Sequence, residues 1–177
     1  MRLEIATLQR VRMKGVVAFD SVFKNTMRVA EAIAEELREM GLEVEVIDLG
    51  LRVPRGAEAD IAFIGSPTRN GRMTGRAKRF LKRLKRERWS TRPVVVFDTV
   101  MRLPEDERQR ERMAKWTENG AAPRMRALAE KRGLSPYPDM LRVEVTGIRG
   151  PLAPGSLSRS KEFARSVITS IGAPPGV

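Results

Sequence analysis

Residues 15–34 read GVVAFDSVFKNTMRVAEAIA. The opening apolar run is typical of a β-strand that is covered on both faces of its sheet. Further on, Ala30, Ile33 and Ala34 share one face of a helix at three- and four-residue spacing. Asn25 is the predicted N-cap of that helix. The stretch therefore predicts a strand, a turn and a helix, and the start of such a helix is a natural place for an anionic group such as a phosphate.

Four further apolar segments, rich in β-branched residues, alternate with helical patterns along the chain, and this alternation predicts a parallel α/β sheet. The predicted strands are 15–19, 43–49, 61–64, 93–97 and 141–145. The predicted helices are 26–40, 74–88, 105–116, 123–131 and 156–171, with a break at Asn119-Gly120. We expect one domain over residues 13–171, with an N-terminal extension (1–12) and a Gly- and Pro-rich tail (172–177).

Composition excludes several kinds of chemistry. The 177 residues include no cysteine and no histidine, so disulfides, thiolate metal sites, cysteine nucleophiles and histidine bases are ruled out. We assign no catalytic side chain and no metal ligand. No apolar run approaches the roughly 20 residues of a membrane span, and we expect a cytoplasmic protein that does not act at a membrane. The formal charge of +12 favours anionic partners.

The first turn, Asp20 to Thr26, resembles the phosphate-binding loop with which flavodoxins begin, Ser/Thr-x-Thr-Gly-Asn-Thr. The resemblance implies that Ser21, Asn25 and Thr26 bind the phosphate of FMN. Two residues depart from the family pattern: Val22 stands where a hydroxyl is usual, and Lys24 stands where glycine is usual. If that position requires a positive φ, lysine costs about 1–2 kcal/mol there. The Lys24 ammonium could compensate by contacting the phosphate.

A second loop resembles the Pro-Thr-Arg-x-Gly-x-Met loop of flavodoxin-like quinone reductases. It runs from Pro67 to Met73, and in that family the loop passes beside the flavin ring. The third loop, 98–102, occupies the family's third flavin-loop position but lacks its glycine-rich hydroxyl pattern. Together these matches imply cofactor contacts from the following residues: Ser21, Phe23, Lys24, Asn25, Thr26, Pro67, Thr68, Arg69, Asn70, Gly71, Asp98 and Thr99.

The resemblance also implies a flavodoxin-like, doubly wound three-layer sandwich, with a five-stranded parallel sheet of order 2-1-3-4-5. In such a sheet ligands bind where the strand order reverses, a rule of which flavodoxin is itself a usual example. The two best-matched loops follow strands one and three, which flank that point. The 103–132 insertion is longer than one crossover helix, and Trp116 within it either folds over the site or packs beneath the insertion.

Two functions stay open from the sequence, beside a third possibility that the first loop binds another phosphorylated ligand. The first is an FMN-dependent redox protein, either an electron carrier with a protein partner or a reductase that takes hydride from NAD(P)H and reduces a quinone-like acceptor. Such reductases often self-associate, so a homo-oligomer is a candidate state. The second is a flavodoxin fold with a degenerate flavin site that binds an acidic protein or nucleic acid. Its basic face would be the segment 69–92, which has eleven basic residues against one acid, Glu87.

Overall fold

The computed structural model describes residues 12–172, which form one sheet with helices on both faces. The predicted extension and tail, apart from Arg12 and Gly172, lie outside the described residues. The strands are β1 (Lys14–Phe19), β2 (Glu43–Asp48), β3 (Ile61–Pro67), β4 (Pro93–Met101), β5 (Ser135–Pro136) and β6 (Leu141–Val145). The helices are α1 (Asn25–Glu39), α2 (Gly75–Arg83), α3 (Arg86–Trp89), α4 (Glu107–Glu118), α5 (Ala121–Lys131) and α6 (Ser156–Ser170).

The sheet confirms the predicted fold class and strand order. Every pairing is parallel, and the order is β2-β1-β3-β4-β5, with β6 following β5 along the same edge of β4. The fifth position is thus filled by two short strands where we predicted one. Pro136 and Pro138 explain the gap between them, because proline lacks the N–H that a continuous ladder requires.

Burial of both sheet faces explains the apolar runs in the strands. Val16 and Ala18 of β1 pack into the core on the side of α2 and α5, whereas Val17 and Phe19 pack on the side of α1 and α6. Alternate residues of a strand point to opposite faces, so a strand covered on both sides must be apolar throughout. β2 lies at the edge of the sheet and is correspondingly more exposed.

Strands β3 and β4 run further than predicted at their carboxyl ends. β4 continues through Asp98 and Thr99 to Met101 because the segment from Phe97 to Met101 pairs with β6. The prediction of a loop over 98–102 was therefore wrong for all but its last residue. The extra length brings strand residues, rather than a mobile loop, to this edge of the sheet.

The predicted helix 74–88 is two helices. Leu84 and Lys85 are extended and separate α2 from α3. Leu84 and Trp89 are both buried in the same core cluster. In one continuous helix, five residues at about 100° each would place these two side chains on different faces, and the break lets both reach the core.

Helices α1 and α6 pack side by side and are joined by ion pairs. Lys161 Nζ lies 2.9 Å from Glu35 Oε2, and this hydrogen bond raises the pKa of the Lys161 ammonium above its ordinary value. Arg165 Nε donates to Glu36 Oε1 at 2.7 Å, which likewise raises the pKa of the guanidinium. Between Arg12 and Gly172, no helix combines the length and apolar character needed to cross a membrane.

Candidate functional site

A cavity of about 370 Å³ opens at the carboxyl ends of the strands, where the sheet order reverses between β1 and β3. Its volume lies within the range of about 300–1,000 Å³ that is usual for small-molecule sites. Nine of the twelve predicted cofactor residues line it: Ser21, Phe23, Asn25, Thr26, Pro67, Thr68, Arg69, Asn70 and Thr99. The fold thus brings together two loops that are more than 40 residues apart in the chain.

The first loop presents the start of α1 to this cavity. Asn25, predicted as the N-cap, is instead the first helical residue, and Lys24 occupies the cap position with φ 64° and no side-chain capping bond. The first turn contains no acidic residue. Ser21 Oγ accepts a hydrogen bond from Met27 N at 3.3 Å. Ser21 thus satisfies the N–H of Met27. The N–H groups of Asn25 and Thr26 have no partner within the helix, so this acid-free start is suited to an anion.

The two residues that depart from the family pattern leave the cavity open. Val22 lines the cavity at its mouth and is 44% exposed. Lys24 adopts the left-handed backbone conformation that a glycine would take without strain. Its side chain is exposed and is not among the residues that line the cavity.

A buried hydroxyl pair lies between the first helix and β4. Thr26 Oγ1 and Thr99 Oγ1 are 2.8 Å apart, and both residues line the cavity. Thr99 also accepts a hydrogen bond through its carbonyl oxygen from Thr68 N at 2.8 Å. These contacts tie the start of α1, the end of β3 and the end of β4 into one wall.

The second loop is held by a tight turn. Arg69 and Arg72 exchange two backbone hydrogen bonds of 2.9 Å, and the residues between them have positive φ, 47° at Asn70 and 68° at Gly71. Asn-Gly is the favoured pair for a two-residue turn of this kind. The turn fixes the backbone that borders the cavity at Thr68 and Asn70. Gly71 itself faces away from this cavity and toward α4.

Asp98 does not line the cavity, and its predicted role as a cofactor contact has no support in the structure. Its carboxylate is fully buried on the opposite face of the sheet from Thr99. Asp98 Oδ2 accepts hydrogen bonds from Thr68 Oγ1 (2.9 Å), Ala122 N (3.0 Å) and Arg142 Nη2 (2.9 Å). The sequence did not reveal this role because those partners lie 24 to 44 residues away. Through its hydrogen bond with Thr68, Asp98 therefore holds the second loop from the face of the sheet opposite the cavity.

Four lining residues were not predicted as cofactor contacts: Val22, Met101, Val145 and Ile148. The loop after β6 carries Ile148, which is 73% exposed, and packs against the start of α1 at Gly150. A Cβ at Gly150 would lie 2.7 Å from Asn25 Oδ1. Strand β6 also ends at this edge of the sheet. The rule that ligands bind at the carboxyl ends of parallel strands could therefore have predicted the loop after β6 as well.

Trp116 lies beside the site and not in the core. It is 54% exposed and lines a second cavity of about 360 Å³, which shares Thr68, Asn70 and Met101 with the first. Helix α4, which carries Trp116, buries none of its residues. Of the two placements expected for Trp116, packing in the core beneath the insertion is therefore wrong.

The basic segment gives one face of the molecule a strongly positive surface. Arg83 donates to Val53 O, Arg88 pairs with Glu58 at 3.3 Å, and Arg92 donates to Ala59 O at 2.6 Å. Across residues 12–172, the salt bridges include none for the four exposed cations that lie from Lys78 to Lys85. These are Lys78, Arg79, Lys82 and Lys85.

Comparisons with known proteins agree with this geometry. Residues 16–144 match the family model described as a flavodoxin domain. A comparison with curated proteins found no significant match.

Several solved structures share the fold. A flavodoxin from the domain Archaea superposes with a TM-score of 0.65 at 18% identity, covering 90% of this chain and 99% of its own. Oxidised flavodoxin 1 from Bacillus cereus gives 0.65 at 19% identity, covering 88% and 97%. Rubredoxin oxygen:oxidoreductase from Desulfovibrio gigas gives 0.66 at 16% identity, and the match spans 90% of this chain but 36% of that longer one. Because the family model covers most of the sheet and both matched loops, the chain belongs to the flavodoxin-domain family.

Proposed function

We propose that this protein binds FMN in the cavity between β1 and β3 and acts in electron transfer. The observation that carries the proposal is the acid-free start of α1, where the cap residue Lys24 makes no side-chain capping bond. This helix start faces a cavity lined by the hydroxyl and amide side chains of Ser21, Asn25 and Thr26. The phosphate of FMN would lie on these groups. Its ring would lie along Pro67 to Asn70, whose backbone polar groups are fixed by the Asn-Gly turn.

FMN would supply the redox chemistry, accepting and releasing electrons singly or in pairs. The chain's own residues would bind the group, orient it and limit its contact with water. No histidine or cysteine is needed for that role, and the chain has neither. Phe23 and Ile148, both exposed at the cavity mouth, would cover apolar parts of the ring.

Residues around the cavity support a choice of electron donor and acceptor. Arg69 lines it and Arg72 is exposed close by, so both are candidates for the phosphates of NAD(P)H. A quinone-like acceptor would fit the apolar cavity next to it. A reductase acting between these two substrates is the form of the function that we favour over a simple electron carrier.

The phosphate site can be tested by one substitution and a matched control. Ser21→Ala removes a hydroxyl that lines the cavity, and Ser90→Ala removes an exposed hydroxyl next to α3, outside the cavity lining. Loss of one hydrogen bond to a charged phosphate should weaken FMN binding about ten-fold in the first variant. Quenching of flavin fluorescence gives both affinities. Equal FMN affinity in Ser21→Ala and Ser90→Ala would contradict the phosphate assignment.

A second candidate is a docking surface for an acidic macromolecule. The four cations Lys78, Arg79, Lys82 and Lys85 favour it, because they are exposed and have no salt bridge within the described residues. An acidic redox partner fits the first function, and nucleic acid fits the alternative of a degenerate site. Polyanion binding that weakens steeply with salt, in protein that binds no flavin, would favour the alternative.

A further inference from the structure

The second cavity has the composition of a binding site for a flat, apolar ring. Met113 and Trp116 lie three residues apart on α4 and therefore share one helix face. Val100 and Met101 line the cavity from the end of β4. Aromatic and thioether side chains favour planar aromatic ligands, on which they stack closely.

No core contact accounts for these apolar side chains of α4. The helix buries none of its residues, and Trp116 is more than half exposed. Burial of a tryptophan is among the largest apolar gains available to a side chain. Its position in an open cavity is explained if a ligand covers it.

Among the residues that the structure describes, Arg112 supplies the one charged side chain of this lining. A guanidinium favours planar anionic groups such as carboxylate or sulfonate, with which it forms paired hydrogen bonds. The ligand that suits the cavity is thus a flat aromatic ring with one anionic substituent.

The cavity is fixed against the proposed flavin site. Gly71, with φ 68°, packs closely against α4, because a Cβ there would lie 3.3 Å from Trp116 O. Helix α4 therefore sits directly on the turn that borders the first cavity. Thr68, Asn70 and Met101 line both cavities, so molecules in the two would be neighbours.

We infer that the second cavity binds the electron acceptor, a quinone with an anionic substituent, with its ring on Trp116 and its anion toward Arg112. This inference rests on the proposed function, in which FMN occupies the adjoining cavity. The rival occupant is the flavin ring itself, which Trp116 would then cover directly.

Binding can be measured in the oxidised protein without an electron donor, so that no turnover is needed. The probe is 1,4-naphthoquinone-2-sulfonate, with neutral 1,4-naphthoquinone for comparison. The absence of cysteine removes thiol alkylation by the quinone as a complication. Trp89 is 1% exposed, and so the quenchable tryptophan fluorescence comes from Trp116.

Calorimetry on variants separates the contributions. Trp116→Ala should weaken binding of the sulfonate probe about ten-fold, while the affinity for FMN changes less than about two-fold. Trp116→Phe keeps an aromatic ring and should retain most of the wild-type affinity for the probe. Arg112→Gln should weaken the sulfonate about three-fold and leave the neutral quinone unchanged. Arg108→Gln, one turn away on α4 and outside the cavity lining, is the matched control and should change neither.

Three results would overturn the inference. One is a loss of FMN affinity in Trp116→Ala with unchanged quinone affinity, which would place Trp116 on the flavin. Another is a Trp116→Ala variant whose affinities for the quinone and for FMN are both unchanged. The third is no quinone binding by the wild-type protein. If the wild-type protein binds the probe through Trp116 but does not bind FMN, the proposed function fails while the acceptor site stands.

Discussion

Thr26 and Thr99 share a hydrogen bond of 2.8 Å between their hydroxyl oxygens, although they are 73 residues apart in the chain. Thr26 belongs to the first turn of α1 and Thr99 to the end of β4. Both are buried, with 1% and 4% of their surface exposed. The pair therefore joins the proposed phosphate loop directly to the strand that ends beneath the proposed ring site.

The energy of this pair can be measured by a double-mutant cycle. Thr26→Val or Thr99→Val alone leaves the other hydroxyl buried without its partner, which should destabilise the protein by about 1–3 kcal/mol. The double variant removes both hydroxyls and should cost much less than the sum. Urea unfolding without FMN gives the three values. Additive losses would show that the two hydroxyls do not depend on each other.

Lys24 should carry backbone strain that is separable from its charge. Lys24→Gly relieves the positive φ and should raise the free energy of unfolding by about 1 kcal/mol. Lys24→Ala removes the charge but keeps the strain, and it should leave stability nearly unchanged. Since the Lys24 side chain does not line the cavity, neither variant should weaken FMN binding by more than about two-fold. A large loss of FMN affinity in both would show that the ammonium does contact the phosphate.

Asp98 should matter for stability and, through Thr68, for the second loop. Asp98→Asn breaks the ion pair between the fully buried Asp98 carboxylate and Arg142, whose side chain is 26% exposed, and should cost about 3 kcal/mol. Asp139→Asn changes an exposed carboxylate and serves as the control, with an expected effect below about 0.5 kcal/mol. Chemical denaturation compares the two. If Asp98→Asn is as mild as the control, the buried network does not hold the loop.

Substitution by alanine should affect the stability of the protein differently at two glycines. A Cβ at Gly120 would lie 2.6 Å from both Thr68 Oγ1 and Arg142 Nη2, whereas a Cβ at Gly75 meets nothing within 4 Å. Gly120→Ala should therefore destabilise the protein by about 1–3 kcal/mol. Gly75→Ala, at the start of α2, should be neutral or stabilising by up to about 1 kcal/mol. Thermal unfolding of both variants checks the contrast, and equal shifts in Tm would contradict it.

Much of the fold was predictable from the sequence because it depends on local pattern. The apolar runs and helical spacings predicted the alternation of strands and helices, and the resemblance to flavodoxins implied the sheet order. The loops after β1 and β3 predicted where the cavity opens. The role of Asp98 was not predictable in this way. Its position at the end of an apolar run suggests a ligand contact, but its actual partners come from distant segments of the chain.

The 103–132 insertion also shows which features local sequence pattern can predict and which it cannot. The break between α4 and α5 follows from Asn119-Gly120, a local signal that the structure confirms. The place of Trp116 depends on how α4 packs against Gly71, which is a tertiary contact. Helical periodicity alone could not decide whether an indole on α4 faces the core, the solvent or a cavity.

The central claim is that the start of α1 binds the phosphate of FMN. Comparing FMN with riboflavin, which lacks the phosphate, by fluorescence titration of flavin-free protein tests this most directly. Our account predicts that FMN binds at least about 100-fold more tightly than riboflavin. The reason is that only FMN carries the phosphate that binds the helix start and its neighbouring hydroxyls. Equal affinities, or no binding of either flavin, would contradict it.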